Sequence, residues 1–160
     1  MIQLHQFNLD ESIKLLRIDA EQLALLKEMR LVVERDADEI IRNFYDHVTK
    51  FPRLKAIIDQ FSSVETLKVT MKKYLSSLFP ERIDEDFMEW RVKIGQVHSR
   101  INLPPFYYLS ANQFLCDEII PRIFTHYRKK YLQAISASLA VQRILSFDQQ
   151  VVMASYIQSY

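Results

Sequence analysis

The sequence predicts an all-α domain, and its glycine content is the first reason. Glycine occurs once in 160 residues, whereas about 7% is usual in proteins. Tight β-turns and phosphate-binding loops both depend on glycine, so β-rich folds and Rossmann or P-loop nucleotide sites are excluded. Hydrophobic residues make up 49% of the chain, which is enough to bury the core of one domain of this length.

Charge and cysteine content exclude several classes of function. The chain has 21 basic and 20 acidic residues, a formal net charge of +1, so neither a nucleic acid nor an anionic membrane surface is an expected partner. The single cysteine, Cys116, excludes an internal disulfide and a cysteine-rich zinc site. Because the first residues lack the features of a signal peptide and no apolar run is long enough to span a membrane, we expect a cytoplasmic protein.

Capping signals and apolar spacing place the helices. Residues 1–18 are expected to form an N-terminal arm, and residues 19–160 the main domain. Asp19 with Gln22, and Ser62 with Glu65, have capping-box spacing. The predicted helices cover about 19–34, 35–50, 62–78, 85–101, 106–128 and 131–160, with a short helical corner at 51–58.

His98 is the most informative candidate for a binding site. Its helical spacing from Ile94 and Ile101 directs the imidazole toward the core. Gly95 costs about 1 kcal/mol of helix propensity relative to alanine, which suggests that something flat or bulky comes close to this helix. One axial histidine on an apolar helix face suits a heme iron, but a core histidine bonded to a backbone carbonyl has the same spacing. The spacing alone leaves both interpretations open.

Hydroxyl-bearing and basic side chains supply further candidates. Tyr45 falls on the inward side of its helix, and a buried phenol needs a hydrogen-bond partner. Thr70 flanks the apolar stripe of its own helix, where its hydroxyl can donate to a ligand or to the carbonyl one turn back. Tyr108 follows the His98 helix closely enough to pack near the imidazole. Four basic residues either neutralise the carboxylates of a cofactor or form a solvated helix face: Lys68, Lys72, Lys73 and Arg91.

The segment RVKIGQVHSRINLPPFYY, residues 91–108, resembles the proximal segment of globin-coupled sensors. Residues 43–48, NFYDHV, resemble the helix that carries the distal tyrosine in that family, and residues 61–70 resemble its next distal segment. The resemblance covers about residues 10–160, in order. Asn102 stands where the family pattern has glycine, and because asparagine can adopt a left-handed backbone conformation, the corner can still turn.

This resemblance implies a globin-like fold with an N-terminal extension and two long C-terminal helices. It implies heme b (iron protoporphyrin IX) held by His98, with bound O2 hydrogen-bonded by Tyr45 and with Thr70 as a second distal group. That distal pair resembles the pair in heme-based aerotaxis transducers. The other residues expected to line the cofactor are Leu67, Met71, Ile94 and Tyr108.

The resemblance also implies a signalling role rather than catalysis. O2 is the expected ligand, with CO and NO as further ligands. A homodimer through residues 106–160 is expected to pass the signal to an output domain outside this chain. The chain is therefore expected to be a sensor domain and not an enzyme.

Two other functions stay open on the sequence. One is a non-heme, globin-like dimerisation or interaction module, which would be colourless and have a filled or collapsed pocket around His98. The other is a heme enzyme, which would need an electron-donor site or a distal acid–base histidine. His47 follows Tyr45 by two residues and therefore points to another side of the helix.

Overall fold

The computed structural model describes Leu4 and residues 6–158, and seven α-helices form this part of the chain. Residues 1–3 and 5 of the expected arm and residues 159–160 of the expected last helix lie outside the described residues. No strand occurs within the described ranges, so the predicted all-α class is confirmed. The helices are α1 (Leu9–Leu15), α2 (Ala20–Val48), α3 (Pro52–Phe61), α4 (Val64–Ser77), α5 (Glu85–Arg100), α6 (Pro105–Tyr127) and α7 (Tyr131–Gln158).

Helix α2 replaces the two helices predicted at 19–34 and 35–50. The Asp19 side chain accepts a hydrogen bond from the Gln22 amide at 3.0 Å, so the predicted N-cap is confirmed. No glycine or proline interrupts the 29 residues that follow, and the Arg30–Glu34 pair at 2.8 Å adds a contact between successive turns. The predicted division was wrong because a change in the apolar pattern does not break a helix without a residue that disfavours helical backbone.

Two other helix ends differ from the sequence prediction. The N-cap of α4 is Ser63, whose side chain accepts from the Thr66 amide, and not Ser62. Pro52 occupies the first turn of α3, so the predicted short corner is a helix of 10 residues. The long helices α6 and α7 match their predicted ranges closely.

Helix α7 lies at the centre of the fold. It packs against α2, α5 and α6, while α2 also packs against α4 and α6. Its second half is apolar on most sides, as expected of a helix surrounded by others. The buried apolar residues of this half include Val141, Ile144, Leu145, Phe147, Val151 and Val152.

The N-terminal segment packs on the same core. Leu4 and Ile18 are buried, and Ile13 contacts the main hydrophobic cluster. The buried Ser12 hydroxyl donates a hydrogen bond to the Gln150 side chain on α7. The described part of the predicted arm is therefore attached to the helical body, whereas a domain boundary at residue 18 stays a prediction.

Gly95 is needed for helix packing and not for a cofactor. A Cβ atom at this position would lie 2.7 Å from the Val152 carbonyl oxygen and 3.0 Å from the Ser155 Cβ. These atoms belong to α7, so the object that comes close to Gly95 is the neighbouring helix. The close approach that the sequence indicated at Gly95 is confirmed, and the bulky object that comes close is helix α7.

The corner between α5 and α6 depends on Asn102, which has a φ of 57°. The predicted left-handed conformation is confirmed. β-Branched residues are strained in this region, so we expect Asn102→Val to lower the free energy of unfolding by about 1–2 kcal/mol. Asn102→Gly should leave it within about 0.5 kcal/mol of the wild type, because glycine enters this region freely. Urea unfolding of both variants would test this, and equal stabilities would contradict it.

Candidate functional site

The His98 side chain is held in one orientation by its own helix. Its Nδ1 atom lies 2.7 Å from the Ile94 carbonyl oxygen, one turn back on α5. A carbonyl can only accept, so Nδ1 carries the hydrogen and Nε2 keeps its lone pair. No hydrogen bond to Nε2 occurs within Leu4 and residues 6–158. The second ring nitrogen is therefore available as a ligand to a metal ion or a metal-bearing cofactor.

Burial keeps this imidazole neutral. Desolvation lowers the pKa of His98 from its usual 6.5, although the hydrogen bond to Ile94 and the charge of Asp148 act in the opposite direction. Desolvation has the largest effect, because protonation would place a positive charge in an apolar environment. A neutral imidazole is the form that binds metals.

Tyr108 lies beside His98, as the sequence predicted. The two ring centroids are 5.4 Å apart, with an angle of 62° between the ring planes. Tyr108 is buried and belongs to a small cluster with Val152 and Tyr156 of α7, against which Ile94 packs. The imidazole therefore lies next to the contact between α5, α6 and α7.

The expected lining residues Leu67, Met71 and Ile94 are only partly buried and pack against the edge of the main core. Helix α3 has no buried residue, although Leu54 and Ile58 contact that core. Three helices thus leave apolar sides incompletely covered. Such surfaces are typical of a site that accepts an apolar molecule.

Tyr45 lies on the buried side of α2. Its side chain is 7% exposed, and its ring meets Phe44 edge-on at 5.1 Å. The hydroxyl makes no hydrogen bond within the described part of the chain. Burial raises the pKa of Tyr45 to about 12, so the phenol stays protonated at neutral pH and can donate a hydrogen bond to a ligand.

Thr70 differs from the other predicted site residues because it is exposed. Its hydroxyl lies 3.5 Å from the Thr66 carbonyl oxygen, one turn back on α4. This is the local bond that the sequence offered as the alternative to ligand contact. Thr70 lies one turn from Leu67 and from Tyr74 along α4, so it borders the apolar side of the helix without being covered by another element.

The basic candidates are mostly paired with acidic residues. Arg91 has a fully buried side chain 3.1 Å from the Asp148 carboxylate, so it is part of the core and not available to cofactor carboxylates. Lys72 pairs with Asp38 at 2.9 Å, and Lys68 lies 3.7 Å from a Glu65 oxygen. A surface groove of about 620 Å³ runs past Lys72, Lys73 and Arg91, but His98 and Tyr45 do not line it.

The sequence indicates the role of Asp148 only weakly. This fully buried carboxylate accepts hydrogen bonds from Tyr74, Tyr108 and Asn112 and lies against Arg91. An acidic residue in a long amphipathic helix usually faces solvent. Only the interruption of the apolar pattern of α7 by Asp148, between Phe147 and Val151, marks the position as unusual.

Comparison with known proteins identifies the class of fold. The Protoglobin family model matches residues 6–160. The globin domain of a Geobacter sulfurreducens globin-coupled sensor superimposes with a TM-score of 0.86 over 94% of this chain and 99% of that domain, at 22% sequence identity. The match at this identity shows a shared globin fold.

The heme-based aerotactic transducer HemAT of Halobacterium salinarum is 28% identical over 152 residues, which cover 89% of this chain and 31% of that protein. The chain thus spans about a third of the length of this relative. The chain belongs to the Protoglobin family, and the predicted resemblance to globin-coupled sensors is confirmed. It is a sensor globin domain of the globin-coupled type.

Among the described residues, no helix combines the length and the apolar character that a membrane span requires. No three His, Cys, Asp or Glu side chains among those residues cluster so that they would hold a metal ion by themselves.

Proposed function

We propose that this chain is a heme-binding gas-sensor domain. The observation that carries the proposal is the orientation of His98, whose Nδ1 bonds to Ile94 at 2.7 Å and whose Nε2 has no partner among the described residues. A hydrogen bond of this kind fixes the ring and increases the basicity of the free nitrogen. The heme-based relative and the sensor globin fold support the same function.

The partly buried apolar side chains of α4 and α5 suit a flat, apolar cofactor. When bound, heme b would supply an iron atom that can bind a diatomic gas. His98 would be the protein ligand, while Leu67, Met71 and Ile94 would cover the macrocycle with apolar surface. Water would be excluded by the same surface, which protects a ferrous ion from oxidation.

Tyr45 is proposed as the hydrogen-bond donor to O2. Its side chain is mostly buried, and its protonated hydroxyl makes no hydrogen bond in the described structure, so the hydroxyl can donate to a ligand. Bound O2 carries partial negative charge and CO much less, so this hydrogen bond favours O2 over CO. NO is a further ligand of the proposed site. Thr70 is proposed as a second polar group at the edge of the same site.

We expect Tyr45→Phe to raise the O2 dissociation rate about tenfold, the change that corresponds to a lost hydrogen bond of about 1.4 kcal/mol. The CO dissociation rate should change by much less. Stopped-flow measurement of both gases would test this, with Thr70→Val beside it. An unchanged O2 rate in the Tyr45 variant would remove Tyr45 from the proposal.

The domain is also proposed to form a homodimer through residues 106–160. Tyr131, Leu132, Ile135 and Leu139 are exposed apolar residues with helical spacing on the first half of α7. Such a stripe on two copies can form a joint helical interface. Sedimentation should show a dimer that Ile135→Glu dissociates, with Gln142→Glu as a control on the same helix. A wild-type monomer would contradict the dimer.

The experiment that tests the whole proposal is an absorption spectrum of the purified protein with added heme, reduced and then exposed to O2. We expect an intense heme band that shifts on oxygenation and again under CO. A colourless protein that takes up no heme would instead support a non-heme, globin-like interaction module. The helical fold would be the same in both cases, so only the spectrum separates them.

A further inference from the structure

One carboxylate joins four helices in the interior of this protein. The Oδ2 atom of Asp148 on α7 accepts hydrogen bonds from Tyr74 of α4 at 2.9 Å, from Tyr108 of α6 at 2.5 Å and from Asn112 of α6 at 3.2 Å. The Nε atom of Arg91 on α5 lies 3.1 Å from the Oδ1 atom. The Asp148 and Arg91 side chains are both 0% exposed.

Burying this charged network in the core has a high desolvation free energy. Removing two charges from water costs several kcal/mol each, and apolar side chains of the same volume often give equal or greater stability. Arg91 and Asp148 are in contact without a hydrogen bond between Nε and Oδ1, and the Arg91 Nη1 atom has no hydrogen bond in the described structure. The arrangement therefore fixes the orientation of particular groups more than it maximises stability.

Two of the residues that Asp148 holds, Tyr108 and Arg91, lie close to His98 in space or on the same helix. Tyr108 donates to Asp148 through its hydroxyl, and its ring centroid lies 5.4 Å from that of the His98 ring. Arg91 lies on α5 two turns before His98. Between them, Gly95 brings the backbone of α5 against Val152 of α7. His98 is thus bounded by a tyrosine and a helix that are both tied to Asp148.

We propose that Asp148 is a positioning residue for the His98 imidazole, acting through Tyr108 and Arg91, and that it couples the ligand site to α7. The coupling to a gas ligand rests on the proposed function. In this arrangement a displacement of His98 would change its contacts with Tyr108 and the position of α5, and both contact Asp148 of α7. The contacts of α7 would then differ between the ligand-bound and ligand-free states, and coupling requires such a difference.

The first test uses the apo-protein. Histidine-selective NMR should show a shift and broadening of the His98 ring signals in Asp148→Asn and in Tyr108→Phe. Both variants weaken or remove the hydrogen bond between the Tyr108 hydroxyl and residue 148, so the Tyr108 ring is less firmly positioned beside His98. The signals of His47 and His126 serve as internal references. Asn112→Ala is the matched control, because Asn112 bonds to the same oxygen without contacting His98. It should lower stability but leave the His98 signals unchanged.

The second test uses the heme-loaded protein. The iron–histidine stretching frequency and the O2 dissociation rate should change in Asp148→Asn and Tyr108→Phe, the rate by about threefold or more, and stay near wild type in Asn112→Ala. If Asp148→Asn fails to fold, Tyr108→Phe decides the outcome, because it removes one hydroxyl and keeps the ring.

Two results would overturn the positioning role. One is a pair of folded variants, Asp148→Asn and Tyr108→Phe, that lose stability while the His98 signals stay unchanged. The other is an Asn112→Ala variant that alters those signals as much as they do. A protein that takes up no heme would contradict the proposed function, and the apo-protein signals would still decide the role of Asp148.

Discussion

His98→Ala is expected to weaken heme binding about 100-fold or more. Removing a residue that only hydrogen-bonds to a metal ligand typically lowers metal affinity by about 10–100-fold, and removing the ligand itself should lower it further. The variant removes the nitrogen that the Ile94 carbonyl orients, and no second histidine lies in the same helix. Heme titration followed by absorption spectroscopy would measure the loss. Imidazole added to the variant should restore part of the wild-type spectrum, because it can enter the space that the side chain leaves.

The matched control for this variant is His126→Ala. His126 is exposed and lies 3.3 Å from a Glu28 oxygen on the surface, so its removal should leave heme affinity unchanged. Equal heme affinity in wild type and His98→Ala would show that another residue holds the cofactor, or that heme binds to the surface. Loss of affinity in both variants would show that the effect is not specific to the site.

Arg91→Met is expected to destabilise the protein by about 3–5 kcal/mol, because it leaves the Asp148 carboxylate buried without a counter-charge. Methionine fills much of the volume, so the loss is electrostatic more than steric. In a protein of this size the melting temperature should fall by about 10 °C. Urea unfolding of the apo-protein would measure the free energy without interference from heme.

The double variant R91M/D148L tests the physical reason for this loss. Leucine removes the unpaired charge, so the double variant should be more stable than Arg91→Met alone. It should stay below the wild type, because Tyr74, Tyr108 and Asn112 lose their common acceptor. Lys68→Met is a control that removes a positive charge from a partly exposed position on α4. An Arg91→Met variant as stable as the wild type would show that the buried ion pair makes no net contribution.

The sequence by itself determined the helical class and most helix positions. The scarcity of glycine and the cap at Asp19 act on the neighbouring backbone, so their effects are local and can be read from the order of residues alone. The segment around His98 is also local, because His98, its carbonyl partner Ile94 and the left-handed Asn102 lie within nine residues. This is why the turn at Asn102 could be predicted from the sequence, while the role of His98 as a ligand stays a prediction.

Only the tertiary structure decided what surrounds that segment. Gly95 indicated a close approach in the sequence, but that the approaching object is α7 could be seen only in the fold. Arg91 looked like a surface base because its partner lies on another helix, and Tyr74 is 74 residues from the Asp148 carboxylate to which it donates. Long-range polar contacts leave no periodic pattern in a sequence. A buried polar group and the partner that compensates its burial lie on different helices, and they come together only when the helices pack.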